Sequence, residues 1–352
     1  MDPRVVVEMA DAGRFAELEQ MFAPVLRAAA SADLVRFGWA AEVGAVRSVA
    51  EPVSLGPGRF SVLINGTVEL RMSFDDQGRL DGLRLESAAG RWEPPSYAKP
   101  RRFTEQEVMV GRQAGALTLP RKGNGAGIVL LSGAGPFDRD ETAGSMKMLK
   151  DLAWGLASRG VASVRFDKSP VVTTLSEEYV PHAVAGVELL GQHVDRVYVA
   201  GHSAGGKIAP KVALAAPAVA GLVLLAADTS VMTDAAVRVA KHLGQDLTEA
   251  ARRTANATSD TPASELLFGL PATYWLELRE YDQVATAAEA GRPMLILQGG
   301  RDYQVTVEDD LPAWQTLGQD VRIYPDADHM FFATNGSHVM EQVIKDIAKW
   351  VS

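Results

Sequence analysis

The chain contains no cysteine among its 352 residues. This absence excludes disulfide bonds, thiolate ligands for a metal ion and a cysteine nucleophile. It says little about the redox compartment in which the protein works.

Positive charge is also scarce. The 35 Lys and Arg residues are outnumbered by 44 Asp and Glu residues, which gives a formal net charge of -9. An acidic balance of this size argues against nucleic acid or an anionic membrane as the main partner. We therefore expect the partner to be a small molecule.

Long hydrophobic runs are missing too. The run AGLVLLAA at residues 220–227 is far too short to cross a bilayer. Near the N-terminus, the run Val5–Val7 is broken at once by Glu8 and Asp11, so no signal peptide is predicted. The expected location is cytoplasmic, with no membrane partner.

The fingerprints of common cofactors are absent as well. GHSAGGK at residues 201–207 ends in Gly-Lys, but its spacing is wrong for a phosphate-binding loop and no Ser or Thr follows. The segment DRDE at residues 138–141 has no histidine nearby and contains Arg139, so we interpret it as a salt-bridged, capping loop. The sequence predicts neither a cofactor nor a bound metal.

The N-terminal part has the pattern of a small α+β domain. Apolar residues recur at helical spacing through residues 10–48, and β-rich runs follow. Two of these runs meet at Asn65-Gly66, a strong hairpin signal. We place this domain at residues 1–95, with a linker rich in Pro, Gly and Ala at 88–100, and expect any homodimer to form through it.

The remainder, residues 96–352, alternates short apolar runs with helical patterns. This alternation predicts an α/β fold with a mostly parallel sheet of about eight strands, buried on both faces by helices. It stops for about 65 residues, far more than a usual connection. The helical material at about 229–290 is interpreted as a cap insert, placed where a lid or substrate cap would sit.

One serine has the surroundings of a nucleophile. Gly201-His202-Ser203-Ala204-Gly205 fits G-x-S-x-G, with a predicted strand before it and a predicted helix after it. In this motif the serine occupies a strained strand-to-helix turn, and the small residues let strand and helix approach closely. The alternative, a glycine-rich structural turn, has no use for a nearby acid and base.

A serine needs a base to activate it, and the base needs an orienting acid. Of the histidines after Ser203, His329 follows the last predicted strand, whereas His242 lies in the insert and His338 near the last helix. For the acid, Asp302 follows the preceding strand at the same sheet edge. The rivals Asp326 and Asp328 lie too close to the histidine along a short loop and are interpreted as turn residues.

The oxyanion formed during catalysis needs two backbone N–H donors. We expect one from Ala204, the residue after the nucleophile, and one from Ala134 in the glycine-rich loop after the strand GIVLLS. Aromatic residues that could line a substrate pocket are Tyr274, Trp275 and Phe331.

Together these features resemble the α/β-hydrolase superfamily over roughly residues 103–352. The resemblance is closer to a bacterial branch of serine esterases of the dienelactone-hydrolase-like kind. It rests on GAGPFDRDE at 133–141, on Arg165-Phe166-Asp167-Lys168 and on DADHMF at 326–331. The N-terminal region is similar to NTF2-like or cystatin-like domains of unknown function. One departure is Ser132, where the branch normally has histidine, which puts the oxyanion geometry and the acyl acceptor in question.

The resulting hypothesis is a serine hydrolase that cleaves a carboxylic ester or thioester through an acyl-enzyme on Ser203. The alternative is an acyltransferase or cyclase of a biosynthetic pathway, which would use the same residues to pass the acyl group to an acceptor other than water or to take it from a carrier-bound thioester. A third reading, a binding protein on a retired hydrolase fold, is disfavoured by the complete set of Ser203, Asp302 and His329.

Overall fold

The computed structural model describes residues 2–87, 92–169 and 172–352, which divide into two compact units. The first unit holds Met1–Trp92, Ala143–Ser145 and Ala236–Leu276, and the second holds Glu93–Thr142, Met146–Ala235 and Glu277–Ser352. The middle of the predicted insert is thus grouped with the N-terminal region. The first four residues of the predicted linker, 88–91, lie outside the described residues.

The first unit begins with four short helices followed by an antiparallel four-stranded meander. In chain order these are α1 (Pro3–Asp11), α2 (Phe15–Gln20), α3 (Pro24–Ala29), α4 (Ala32–Glu42), β1 (Val53–Gly56), β2 (Arg59–Ile64), β3 (Val68–Phe74) and β4 (Leu80–Ser87). Helix α1 begins before the predicted helical region because the side chain of Asp2 caps it. The β2–β3 hairpin turns at Asn65-Gly66 as predicted, and both residues have positive φ.

The second unit contains the large sheet. The strands from residue 103 onward are β5 (Phe103–Val110), β6 (Gln113–Pro120), β7 (Ala126–Leu131), β8 (Thr142–Ala143), β9 (Met146–Lys147), β10 (Ala162–Phe166), β11 (Arg196–His202), β12 (Val219–Leu225), β13 (Met294–Gly299) and β14 (Asp320–Tyr324). Eight of these form one sheet in the order β14-β13-β12-β11-β7-β10-β6-β5. Only β5–β6 and β6–β10 pair antiparallel within it. The predicted α/β class and the mostly parallel sheet of about eight strands are confirmed.

Helices cover both faces of this sheet. They are α5 (Met148–Ala157), α6 (Leu175–Gly191), α7 (Ala204–Ala215), α11 (Gln283–Ala290), α12 (Leu311–Gln315) and α13 (Glu341–Trp350). Ile128 of β7 belongs to a buried cluster with Leu152 of α5 and Ile344 of α13. The next residue, Val129, faces the other way and contacts Gly186 of α6. Burial on both faces explains why the parallel strands are continuous apolar runs.

The insert between β12 and β13 is helical, as the sequence predicts. It contains α8 (Met232–His242), α9 (Thr248–Ala255) and α10 (Ala272–Glu280) before α11, with short 3-10 turns at Ala263–Glu265 and Leu267–Gly269; another such turn, Pro100–Arg102, precedes β5. In the part of the chain described here, no helix has the length and apolar character needed to span a membrane.

Candidate active site

Ser203 lies at the junction between β11 and α7, in a backbone conformation that is unfavourable for a side chain. Its φ and ψ are 52° and -120°. The turn is held on both sides, because the N–H of Ser203 donates to the carbonyl of Leu225 at 2.8 Å and its own carbonyl accepts from the N–H of Lys207 at 2.9 Å. Strain of this kind persists only where the surrounding structure enforces it, and it is the conformation expected of a nucleophile turn.

The two glycines of the motif are required by close backbone approach. A Cβ placed on Gly201 would collide with the backbone of Gly205. A Cβ on Gly205 would lie 2.6 Å from the carbonyl oxygen of Ser132 and 2.7 Å from that of Leu131. The start of α7 is therefore pressed against the end of β7 and the loop that follows it, which brings that loop to the serine.

Asp302 and His329 form a direct hydrogen bond. Asp302 follows β13 and His329 follows β14, and Nδ1 of the imidazole lies 2.7 Å from Oδ2 of the carboxylate. Both residues are more than nine-tenths buried. The other carboxylate oxygen accepts from the backbone N–H groups of Gln304 and Val305 at 2.8 and 3.0 Å. With Nδ1–H donating to the aspartate, the tautomer leaves Nε2 of His329 available as a base.

These contacts also keep Asp302 ionised. Burial disfavours its charged form, but the neighbouring imidazole of His329 and the two backbone N–H donors outweigh the burial, so the pKa of Asp302 lies below its usual value. A buried, ionised carboxylate is what an imidazolium formed at His329 needs for stabilisation.

The other candidate acids Asp326 and Asp328, and the candidate base His338, do not take part in the contact between Asp302 and His329. Asp328 accepts from the backbone N–H groups of Met330 and Phe332, which agrees with its interpretation as a turn residue. The side chain of Asp326 is exposed. His338 lies 3.0 Å from the buried carboxylate of Asp151 on α5.

His202, immediately before the serine, reaches the loop of His329. Its Nε2 donates to the backbone carbonyl of His329 at 2.9 Å, and the two imidazole centroids are 4.6 Å apart. The structure thus brings Ser203, Asp302 and His329 to one edge of the sheet, at the carboxyl ends of β11, β13 and β14.

The segment Ser132–Glu141 after β7, which we call the oxyanion loop, passes next to the serine. A Cβ on Gly133 would lie 3.3 Å from the Cβ of Ser203. Among the described residues, the backbone N–H groups of Ala134 and Ala204 have no acceptor. The N–H of Gly133 is already used, because it donates to Glu141 at 2.7 Å. Ala134 and Ala204 therefore remain the two predicted oxyanion donors.

Two side chains that the sequence analysis did not assign to the site, Lys168 and Tyr179, anchor the start of the oxyanion loop. Nζ of Lys168 donates to the carbonyl of Gly133 at 2.8 Å and to the hydroxyl of Tyr179 at 2.7 Å. That hydroxyl lies 3.0 and 2.9 Å from the carbonyl oxygens of Ser132 and Gly133. Ser132 is thus fixed through its backbone by Tyr179.

Within the DRDE segment, the salt-bridge interpretation holds for Asp140, whose carboxylate lies 2.9 Å from Nε of the buried Arg165. Glu141 is different. It has a positive φ of 53° and no exposed surface, and its Oε1 lies 2.8 Å from Nδ1 of His202. The sequence held no distinct signal for this, because Glu141 is the last of four consecutive charged residues at 138–141.

The three aromatic residues predicted to contact substrate are all buried. Phe331 has no exposed surface and packs in the hydrophobic core, with its ring edge-on to Tyr324 at 6.0 Å between centroids. The ring therefore fills the core, and a contact of Phe331 with substrate stays a prediction. Tyr274 and Trp275 lie on α10 in the first unit and stay predictions.

Comparison with known proteins identifies an esterase as a relative of this chain. Esterase EstD of Thermotoga maritima is 32% identical over 319 residues, which cover 81% of this chain and 77% of that protein. No family model matches the sequence. Among solved structures, a hypothetical protein from Pseudomonas aeruginosa superposes with a TM-score of 0.51 at 14% identity, over 75% of this chain and 98% of the other. An esterase from Pyrococcus furiosus gives a TM-score of 0.49 at 14% identity, over 75% and 94% of the two chains.

Proposed function

Since the chain belongs to the esterases of the α/β-hydrolase superfamily, we propose that it cleaves a carboxylic ester or thioester through an acyl-enzyme on Ser203. The observation that carries this proposal is the buried 2.7 Å hydrogen bond between Asp302 and His329, beside a serine in a strained turn. A glycine-rich structural turn would require neither the strain nor the oriented histidine.

In the first half-reaction, Oγ of Ser203 attacks the substrate carbonyl carbon while Nε2 of His329 takes the hydroxyl proton. The carbonyl π electrons move to oxygen and form a tetrahedral oxyanion. When the oxyanion collapses, the bond to the leaving alcohol or thiol breaks, and His329 returns the proton to it. Asp302 holds the ring and stabilises the imidazolium while the proton resides there.

In the second half-reaction, water attacks the acyl carbon and gives its proton to His329. The second tetrahedral intermediate collapses by breaking the bond to Ser203, whose Oγ regains the proton from Nε2. The products are the free acid and the original enzyme. Ala134 and Ala204 would donate their N–H groups to both oxyanions, and each such donor is typically worth roughly 3 kcal/mol of transition-state stabilisation.

Acyl transfer to another acceptor would use the same residues and differ only in what enters after the first product leaves. The sequence argument for it was the departure at Ser132. The backbone of Ser132 is fixed by Tyr179, and nothing in that contact selects an acceptor over water. Hydrolysis is therefore the proposal, and transfer is an outcome that the experiment can reveal.

The experiment combines labelling and kinetics. The wild-type protein is treated with a fluorophosphonate, and the modified peptide is identified by mass spectrometry, with Ser203→Ala as the control. Turnover of p-nitrophenyl and thiol esters is then measured with and without added alcohols, amines or thiols. We expect labelling at Ser203 alone and release of free acid in water. Absence of labelling would refute the proposal, and product formation only with an added acceptor would replace it by acyl transfer.

A further inference from the structure

We propose that Glu141 and His202 form a positioning pair that fixes the oxyanion loop and the loop of His329 against each other across Ser203. This inference rests on the proposed function, because it assigns the pair to the same site. Neither residue is proposed to touch substrate. Both act through the backbone groups that they hold.

Glu141 closes the oxyanion loop through a hydrogen bond between its side chain and the backbone at the start of the loop. Its side chain is wholly buried, and Oε1 accepts from the backbone N–H of Gly133 at 2.7 Å. This bond closes the loop on itself, because Gly133 stands at its start and Glu141 at its end. The positive φ of Glu141, 53°, is uncommon for a residue with a side chain and indicates that the surroundings impose this conformation.

His202 continues the connection to the other side of the serine. Its Nδ1 lies 2.8 Å from the same Oε1 of Glu141, and its Nε2 lies 2.9 Å from the carbonyl oxygen of His329. A carbonyl oxygen can only accept, so Nε2 must carry a proton. One side chain therefore spans the distance between the oxyanion loop and the loop that carries the predicted base.

The charges support two donors on this ring. Burial lowers the pKa of His202, but the charge and hydrogen bond of Glu141 raise it by more, so the pKa lies above the usual value. When the His202 ring carries both protons, Nδ1 donates to Oε1 of Glu141 and Nε2 donates to the carbonyl of His329. The second oxygen of Glu141, Oε2, has no hydrogen-bond partner among the described residues, so the carboxylate depends on Oε1 alone for its contacts.

Loss of the pair would release the N–H of Gly133 and the carbonyl of His329 together. The loop that carries Ala134 could then rotate, and the predicted base could shift relative to the serine. A displacement of about 1 Å in such a constellation can cost about 100-fold in rate. Because the affected groups act on the transition state, the loss should appear in kcat with little change in KM.

The chain offers a matched control pair away from the serine. Asp151 is also a wholly buried carboxylate, and it accepts from a histidine, His338, at 3.0 Å and from a backbone N–H, that of Val339, at 3.0 Å. These two contacts, one from a histidine and one from a backbone N–H, are of the same kind as those of Glu141. Removing Asp151 tests what the loss of such a pair does to the fold alone.

The test measures kcat and KM with p-nitrophenyl acetate for the wild type and for Glu141→Ala, Glu141→Gln and Asp151→Ala. The fraction of active protein is counted by fluorophosphonate titration, so misfolded molecules do not enter kcat. We expect Glu141→Ala to lose about 100-fold in kcat with nearly unchanged KM. Glu141→Gln keeps one oxygen that can accept from both the N–H of Gly133 and Nδ1–H of His202, so it should recover most of that loss. Asp151→Ala should keep the wild-type kcat per titrated site.

Should Glu141→Ala fail to fold, His202→Asn takes its place, because the shorter amide can occupy the position of Nδ1 but cannot reach the carbonyl of His329. The same loss in kcat is expected. A wild-type kcat in both variants, or an equal loss in Asp151→Ala, would overturn the positioning role. If the wild type itself neither labels at Ser203 nor turns over ester, the proposed function fails, and this result is distinct from a failure confined to the variants.

Discussion

Nδ1 of His329 lies 2.7 Å from Oδ2 of Asp302, although the two residues are separated by 27 positions in the sequence. They meet because β13 and β14 are parallel neighbours whose carboxyl ends reach the same edge of the sheet. The same edge carries Ser203 at the end of β11. The topology, more than any local motif, assembles the proposed triad.

The first prediction concerns the orienting acid. Asp302→Asn should lower kcat by about 10⁴-fold, because an amide facing Nδ1 favours the wrong tautomer of His329. Asp326→Asn is the control, since its exposed carboxyl lies three residues from the same histidine. Steady-state kinetics with a p-nitrophenyl ester measures both variants. A large loss in Asp326→Asn, with normal turnover in Asp302→Asn, would assign the acid to the other aspartate.

The second prediction concerns the tight approach at the nucleophile turn. Gly205→Ala should destabilise the protein by about 1–3 kcal/mol and lower esterase activity, because the new Cβ must displace the backbone of Leu131 and Ser132. Gly38→Ala on α4 is the control, since a Cβ there meets nothing within 4 Å. That change should raise stability by about 0.5–1 kcal/mol. Urea unfolding gives both values, and equal effects would contradict the packing argument.

Whether a feature of the fold or the site could be predicted from the sequence depends on the kind of interaction that produces it. The parallel strands were predictable because they are continuous apolar runs, and the order Ser203, Asp302, His329 follows from the fold's topology. Glu141 and Lys168 were not predictable as site residues, because their partners His202 and Glu178 come from other elements and their burial is a property of the folded chain. The complete burial of Phe331 was not predictable for a related reason, since an aromatic residue after a strand can face the core as readily as a pocket.

The third prediction concerns acid pH. Since the pKa of Asp302 is lowered in the folded protein, its ionised form stabilises the fold above the unfolded pKa of about 3.9. This contribution is lost as the pH falls through the lower, folded pKa. The difference in unfolding free energy between the wild type and Asp302→Asn should therefore shrink below about pH 4. Urea unfolding between neutral and acid pH tests this, and a difference that stays constant would contradict it.

The fourth prediction concerns the anchor of the oxyanion loop. Nζ of Lys168 lies 2.6 Å from Oε1 of Glu178, and both side chains are almost fully buried. Lys168→Met should cost about 3–5 kcal/mol, because it leaves a buried carboxylate without its cation. The double variant Lys168→Met/Glu178→Gln should recover part of the loss. Arg252→Met, which breaks an exposed ion pair with Glu249, is the control and should change stability little.

The central step of the proposed mechanism is the formation of an acyl-enzyme on Ser203. The most direct measurement is rapid acid quenching of the protein during turnover of p-nitrophenyl acetate, followed by peptide mapping by mass spectrometry. The mechanism predicts one added acetyl group on the peptide that contains Ser203. The corresponding peptide of Ser203→Ala should carry no acetyl group. Normal turnover by Ser203→Ala, or an acetyl group found only on another residue, would contradict it.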